Sequence, residues 1–554
     1  MEQNKHTGTH ILKGAMILSI AVFISKIIGI LYRIPLTDAI GDAGNGIFAP
    51  AYQVYMVMLT LSSVALPAAI SKMVSERVAI GAYRDAQRVY TIAMRYSVLV
   101  GAVLSIILWI GADGIANTFF NMEEAAWPMR ALVPAIFIVS IMAVMRGYFQ
   151  GMNSMTPTAI SQVVEQFVHA IVSVGLAYLL VGTSLEAAVV GASFGTSVGA
   201  LFALGVLVFV YYTMRKGIKK RLSKSKTSTG ESNGQILKKI LVMSIPIMIS
   251  SSIFSIMGMI DYTMIYQILP NTIEKMSQMG LLETLPISDS AVLLNSANIV
   301  NTLSGQFSTK YTTLLNLPVS LILTLGMAVI PAISASMARK DFKDVKRKTK
   351  MVLKIGMLFA APATIGLMIF SKQIIGMLYA SAPDGGELLT YGAISVIFIT
   401  IAQLTTGILQ GMGKQAVPTV HAAIACGVKI IFNIILLSMP SMHIYGVVHS
   451  TTICYFIYAL LNVIYLMRTM HMRLNIKQII LKPVLVAVAM GIISYLLYSL
   501  LYQFIGHASL CLLIVIPIAA GIYGILGIFT RTITVKDLEH IPGGRKVIAW
   551  ISKM

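Results

Sequence analysis

Charge is scarce in this chain. Asp, Glu, Lys and Arg make up 11% of its 554 residues, against roughly 25% in an ordinary globular protein. Hydrophobic residues reach 57% and the mean hydropathy is +0.82. So little charge cannot wet a soluble globule of this length, which excludes soluble enzymes, nucleic-acid binders and disordered scaffolds. Cysteine is scarcer still. Cys426, Cys454 and Cys511 lie in apolar runs and form no Cys-x-x-Cys pair, so no disulfide framework or zinc site is implied. A Gly-x-x-x-x-Gly-Lys-[Ser/Thr] loop for ATP, a His-Glu-x-x-His helix and an Asp-x-Asp pair are all missing, and no serine elbow is expected. The chain reads as a non-enzyme with no cofactor and no metal.

What is present is long apolar runs. A membrane span needs about 20 predominantly apolar residues. Fourteen such runs occur: 11–32, 47–70, 89–111, 131–152, 157–181, 186–212, 239–263, 311–335, 351–371, 387–410, 417–439, 444–467, 483–504 and 509–529. Their length marks them as helices and not barrel strands. The expected fold is therefore an all-α polytopic membrane protein. With the N-terminus inside, the inside segments hold 35 of the 42 Lys and Arg residues. This positive-inside asymmetry accounts for most of the net charge of +21 and leaves no need for a nucleic-acid partner. It also places both termini in the cytoplasm. The basic run Arg215 to Lys226 reads first as a topology signal, with contact to anionic lipid as the alternative.

Two fragments recur. Gly147-Tyr148-Phe149-Gln150-Gly151-Met152 returns as Gly407-Ile408-Leu409-Gln410-Gly411-Met412, 260 positions on (407 minus 147). Leu66-Pro67-Ala68-Ala69-Ile70-Ser71 is echoed by Ile330-Pro331-Ala332-Ile333-Ser334, 264 positions on (330 minus 66). Spans one to six thus map onto spans seven to twelve as parallel repeats. The expected organisation is an N-lobe (1–212), a basic cytoplasmic linker (213–238), a C-lobe (239–467), additional spans thirteen and fourteen (468–529) and a cytoplasmic tail (530–554). Two six-helix lobes with a cleft between them suit alternating access.

Intramembrane charge is costly, about 2.5–3.5 kcal/mol at the bilayer centre on insertion scales. Lys429 lies near the middle of span eleven, and His169 stands 260 positions earlier in span five (429 minus 169). Glu165 precedes His169 by four residues and Asn433 follows Lys429 by four, so each pair shares a helical face. Lys26 and Arg33 share a face of span one. Arg146 ends span four, Asp261 lies near the outer end of span seven and Lys310 opens span eight. Lys26, Arg33, His169, Lys429, Arg146 and Lys310 are the candidate substrate-binding cations. Ser25, Glu165, Asp261 and Asn433 are candidate supporting or ion-coupling residues. Snorkelling or structural ion pairs are the competing explanations.

Several of these residues fall in motifs that resemble a known family. Ser25-Lys26-Ile27-Ile28-Gly29 is similar to the opening of the MurJ-type lipid II flippases, and Pro67-Ala68-Ala69-Ile70-Ser71-Lys72 to a common end of their second span. Arg146-Gly147-Tyr148-Phe149-Gln150-Gly151, with Met155-x-Pro157-Thr158-Ala159-x-Ser161-Gln162-x-x-Glu165-Gln166, resembles the branch that includes the stage V sporulation protein B group. The resemblance covers the whole chain and implies membership of the multidrug/oligosaccharidyl-lipid/polysaccharide (MOP) exporter superfamily, with its MATE-like fold. It departs from the family pattern at Lys26, where many relatives carry Arg, at Tyr32, where a second Arg falls, at Ile34, where an Asp falls, and at Thr313, where several have Arg, Lys310 being the nearest cation. The resemblance implies a bacterial plasma-membrane flippase for an undecaprenyl-pyrophosphate-linked cell-wall precursor, lipid II or a related lipid-linked oligosaccharide. It also implies that spans thirteen and fourteen line a groove for the lipid tail. The partners are then the lipid-linked sugar pyrophosphate and membrane lipids, with membrane potential or a coupled ion as the drive. A flippase for O-antigen, teichoic or capsule-type units, a MATE-type cation or drug antiporter, a membrane glycosyl- or acyltransferase, and a non-transporting scaffold are the alternatives.

Overall fold

A computed structural model describes residues 17–18, 20–223, 225, 228 and 230–534. The expected placement of both termini falls outside these residues. Among the described residues every regular element is helical, and the chain is a multi-pass membrane protein. Lipid offers backbone groups no hydrogen-bond partner, so each apolar run closes its own ladder. Among the described residues twelve helices are long and apolar enough to cross a membrane, or thirteen if Gly386–Gly392 and Ser395–Gly411, bent by 50°, form one span. The expected count of fourteen is not reached among the described residues. Span one, 11–32, is described only in part and contributes the shorter helix Ile20–Leu31.

The chain divides into two compact units. The first comprises the residues up to Gln267 together with Ala297–Gly305. Its helices are α1 (Ile20–Leu31), α2 (Arg33–Leu59), α3 (Leu66–Ala79), α4 (Tyr83–Phe120), α5 (Ala126–Gly151), α6 (Thr156–Leu180), α7 (Leu185–Ser223), most of α8 (Asn233–Gln278) and nearly all of α9 (Ser296–Gly305). The second comprises Ile268–Ser296 and the residues from Gln306 on. It holds α10 (Thr313–Ala338), α11 (Phe342–Ile369), α12 (Ser371–Leu378), α13 (Gly386–Gly392), α14 (Ser395–Gly411), α15 (Ala416–Leu437), α16 (Tyr445–Thr469), α17 (Lys482–Ile505) and α18 (Ala508–Phe529).

The two recurring fragments are the two sides of one helix crossing, built once in each unit. In the first, Gly147 and Gly151 of α5 lie against Pro67, Ile70 and Val74 of α3; a Cβ on Gly147 would come within 2.9 Å of the Pro67 backbone. In the second, Gly407 and Gly411 of α14 lie against Gly326, Ile330 and Ile333 of α10; a Cβ on Gly411 would come within 2.8 Å of the Ile330 carbonyl. Lipid tails are as apolar as Leu, so spans associate through close packing, and glycines four apart permit it. The cores gather here. In the first unit Ile70, Met73, Val89, Met142 and Phe149 are buried together. In the second, Ile333, Val345, Ile408, Leu409 and Leu466 are.

The Gly-x-Ser-x-Gly pattern does occur, as Gly191–Gly195 and Gly195–Gly199. Both copies lie inside the continuous helix α7, and no strand-to-helix elbow forms. Their glycines admit α6: Gly191 meets Leu176, Gly195 meets Ser173, and Gly199 meets the Glu165 carbonyl and His169.

The 39 residues of α7 span about 58 Å at 1.5 Å per residue, well beyond a hydrocarbon core of about 30 Å. Its last turns carry Arg215, Lys216, Lys219, Lys220 and Arg221. The segment that follows is clasped to the start of α4. Glu231 pairs with Arg77 and Lys239, and Arg88 donates to the Glu231 carbonyl at 3.0 Å and to Asn233 Oδ1 at 2.8 Å. α4 and α11 open alike, with a first-turn acid that favours the helix N-terminus and an Arg three residues on: Asp85 with Arg88, and Asp344 with Arg347 at 2.6 Å.

α17 and α18 belong to the second unit. Val486, Ala487 and Met490 of α17 pack with Ala361 of α11 and Tyr523 of α18. Leu496, Phe504 and Phe529 face outward.

Candidate functional site

In the first unit the small residues of α7 let α6 lie close, and the polar side of α6 then meets α2 and α5. That side is a stripe of every fourth residue: Ser161, Glu165, His169 and Ser173. Arg146 reaches it from the last turns of α5. Its Nη2 donates to Glu165 Oε2 at 2.7 Å and its Nε to Ser161 Oγ at 3.0 Å. Charge-assisted bonds of this kind are among the stronger ones available. Glu165 therefore spends its charge on Arg146, 19 residues away, and not on its near neighbour His169. His169, 6% exposed, sits 3.3 Å from Thr196 Oγ1 through Nε2. Its ring lies 4.8 Å from that of Tyr32, and Arg33 lies 6.0 Å over the Tyr32 ring. Tyr52 and Tyr55 of α2, their rings 5.6 Å apart, lie within electrostatic range of Arg33, Glu165 and Arg146.

Four expected residues, Arg33, Arg146, Glu165 and His169, thus form one cluster, to which the structure adds Tyr32, Tyr52, Tyr55, Ser161 and Thr196. The i, i+4 spacing of the α6 stripe was visible in the sequence; Tyr52 and Tyr55 of span two gave no signal. Ser25 and Lys26 share α1, where the Ser25 hydroxyl is buried and Lys26 is exposed. Asp261 is buried on α8.

In the second unit Lys429 and Asn433 lie on the buried face of α15; Lys429 is 3% exposed. Ser450 of α16 donates to Asn433 Oδ1. The buried faces agree in register, with His169, Ser173 and Ala177 on α6 and Lys429, Asn433 and Leu437 on α15 each 260 positions apart (429 minus 169). Lys310 is fully buried in a π-helical turn, Gln306–Thr312, and donates to the Asp384 carbonyl at 2.8 Å. The Asp384 carboxylate accepts from Ser288 N at 2.8 Å and Ser288 Oγ at 2.5 Å. Lys310 is therefore built into a wall of this unit. Among the described residues no group of three or more His, Cys, Asp or Glu could hold a metal ion.

The family model for "Polysaccharide biosynthesis protein" matches residues 11–337, and that for "Lipid II flippase MurJ" matches residues 294–516. The chain is 26% identical to the lipid II flippase MurJ of Bacillus subtilis, over 93% of this chain and 94% of that protein. It is 24% identical to the stage V sporulation protein B of the same organism, over 96% and 97%. Among solved structures, an inward closed lipid II flippase MurJ aligns with a TM-score of 0.66 at 17% identity, covering 93% of this chain and 99% of the other. An inward-facing MATE transporter of the MOP superfamily aligns with a TM-score of 0.63 at 15% identity, covering 83% and 98%.

Proposed function

Because the chain belongs to the polysaccharide biosynthesis protein family, within the MOP superfamily, we propose that it is a flippase. It carries an undecaprenyl-pyrophosphate-linked cell-wall precursor from the inner to the outer leaflet of a bacterial plasma membrane by alternating access. The observation that carries this reading is the repeat-related pair His169 and Lys429, each an ionisable residue on the buried face of its helix. Ionisable residues at membrane depth are costly and mark functional sites, and a pyrophosphate head group is a ligand that such basic side chains suit. Lys26, Arg33 and Lys429 hold the head group. The outward faces of α17 and α18 serve the prenyl tail, and both termini are cytoplasmic. Membrane potential or a coupled ion drives the cycle. A cation antiporter of the same fold would exchange ions on a carboxylate in the first unit, and Glu165, the acid of the α6 stripe, is instead held by Arg146 at 2.7 Å.

Depletion in the native cell tests the proposal. The expected result is accumulation of one lipid-linked precursor on the inner leaflet. Unchanged leaflet distributions of every such lipid, alongside a changed sensitivity to cationic drugs, would decide for the antiporter.

A further inference from the structure

The second unit holds a buried polar network that the proposed function does not use. α15 is packed by α16 and, more lightly, by α14. His421, in the second turn of α15, places Nδ1 2.8 Å from Asn462 Oδ1 of α16. The other end of the Asn462 amide fixes its orientation. Nδ2 donates to Thr406 Oγ1 at 3.2 Å and towards the Ala402 carbonyl at 3.4 Å, and a carbonyl only accepts. Oδ1 therefore faces His421. Because Oδ1 also only accepts, the imidazole hydrogen is on Nδ1. Thr406 gives its own hydrogen to the Ala402 carbonyl at 2.8 Å, so the Tyr458 hydroxyl at 2.7 Å donates to it. One donor and two acceptor positions fill the Thr406 hydroxyl.

With these bonds placed, one acceptor of the imidazole is left over. In this tautomer His421 Nε2 carries a lone pair. It has no hydrogen-bond partner among the described residues, and His421 is half-buried. A proton added there charges the ring without breaking any bond of the network. The titratable groups facing it from α16 are Tyr458 and Tyr465, the latter with its ring 6.0 Å away. α14 carries no ionisable residue. On α15 itself Cys426 and Lys429 follow, Lys414 precedes the helix, and Arg468 closes α16.

The internal repeat sharpens the point. Thr406 and His421 stand 260 positions after Arg146 and Ser161 (406 minus 146, 421 minus 161). Where the first unit holds a permanent Arg146–Glu165 ion pair, the second holds a neutral network that becomes charged only on protonation.

We infer that His421 is a proton-binding site of the second unit, taking its proton from water at Nε2 while Nδ1–H stays on Asn462. On the flippase reading, uptake and release of this proton accompany lipid movement. Two measurements on the full-length protein separate the claims. The first is 15N-histidine NMR of the protein in nanodiscs, with the His421 resonances assigned by their loss in His421→Gln. Nε2 is expected to gain a proton as the pH is lowered while the Nδ1–H signal persists. A flat Nε2, or loss of the proton from Nδ1, would overturn the site. The second uses proteoliposomes loaded with a pH dye and given a fluorescent undecaprenyl-pyrophosphate disaccharide. Wild type is expected to change the lumen pH as the probe flips, and His421→Gln to lose at least four-fifths of that signal. Flipping with no pH change in wild type would overturn the coupling. Titration at Nε2 without any flipping would sink the flippase reading and leave the proton site standing.

Discussion

Arg146 Nη2 lies 2.7 Å from Glu165 Oε2, joining the end of α5 to the middle of the polar stripe on α6. Removing one member of such a partly buried pair leaves the other charge uncompensated, a cost that reaches about 3–5 kcal/mol when burial is complete. Glu165→Gln is therefore expected to lower thermal stability in detergent more than Arg146→Met with Glu165→Gln combined. A double-mutant cycle with a coupling near zero would show that the pair contributes nothing.

Lys429 is a test of binding against scaffolding. Lys429→Arg, which keeps the charge, is expected to retain part of the activity in a complementation assay. Lys429→Gln should abolish complementation with protein abundance near normal. If abundance falls in parallel with activity, Lys429 holds the second unit together and does not bind the precursor.

The glycine crossings admit no side chain. Gly147→Leu and Gly411→Leu should each destabilise by at least the 1–3 kcal/mol typical of overpacking, and Gly147→Ala by less, because only its Cβ meets Pro67 and Ile70 at 2.9 and 3.0 Å. Thermal unfolding of the purified variants reads this directly. Equal stability for Gly175→Ala, where a Cβ would meet nothing within 4 Å, is the control. A Gly411→Leu protein as stable as wild type would mean that the crossing is loose.

The clasp on the linker carries a pH dependence. The hydrogen bond from Lys239 foremost, and Arg77 beside it, hold the Glu231 carboxyl below its ordinary pKa. A folded-state value below the unfolded one means that the clasp stabilises at pH above the ordinary carboxylate range and is lost as pH falls through the lowered value. Limited proteolysis between α7 and α8 should therefore quicken below about pH 4. Glu231→Gln should already be cleaved faster at neutral pH. Cleavage rates that ignore both pH and the substitution would remove the clasp as a determinant of linker order.

The spans were legible because membrane helices announce themselves by length and apolarity, which a bilayer requires of the sequence directly. The duplication was legible because Gly147-x-x-x-Gly151 and Gly407-x-x-x-Gly411 are packing surfaces that tolerate little change. Partners across helices were not legible. Glu165 stands one turn before His169, and spacing along α6 alone pairs them; the depth at which Gly199 lets α6 settle on α7 brings Arg146 into reach from α5 instead. Lys310 looked like a cavity cation, but the π-helical turn it occupies rotates it to the Asp384 carbonyl. Local sequence carries no record of either arrangement.

The α3–α5 crossing closes over 84 residues, from Pro67 to Gly151, and the α10–α14 crossing over 81, from Ile330 to Gly411. Both contacts are local compared with a chain of 554 residues, and local contacts form early. A chain made at about 5–20 residues per second, N-terminal part first, presents the first crossing complete while the second is still unsynthesised. Each half therefore carries its own assembly instruction, and a lesion at Gly147 is met by the insertion machinery many seconds before one at Gly411.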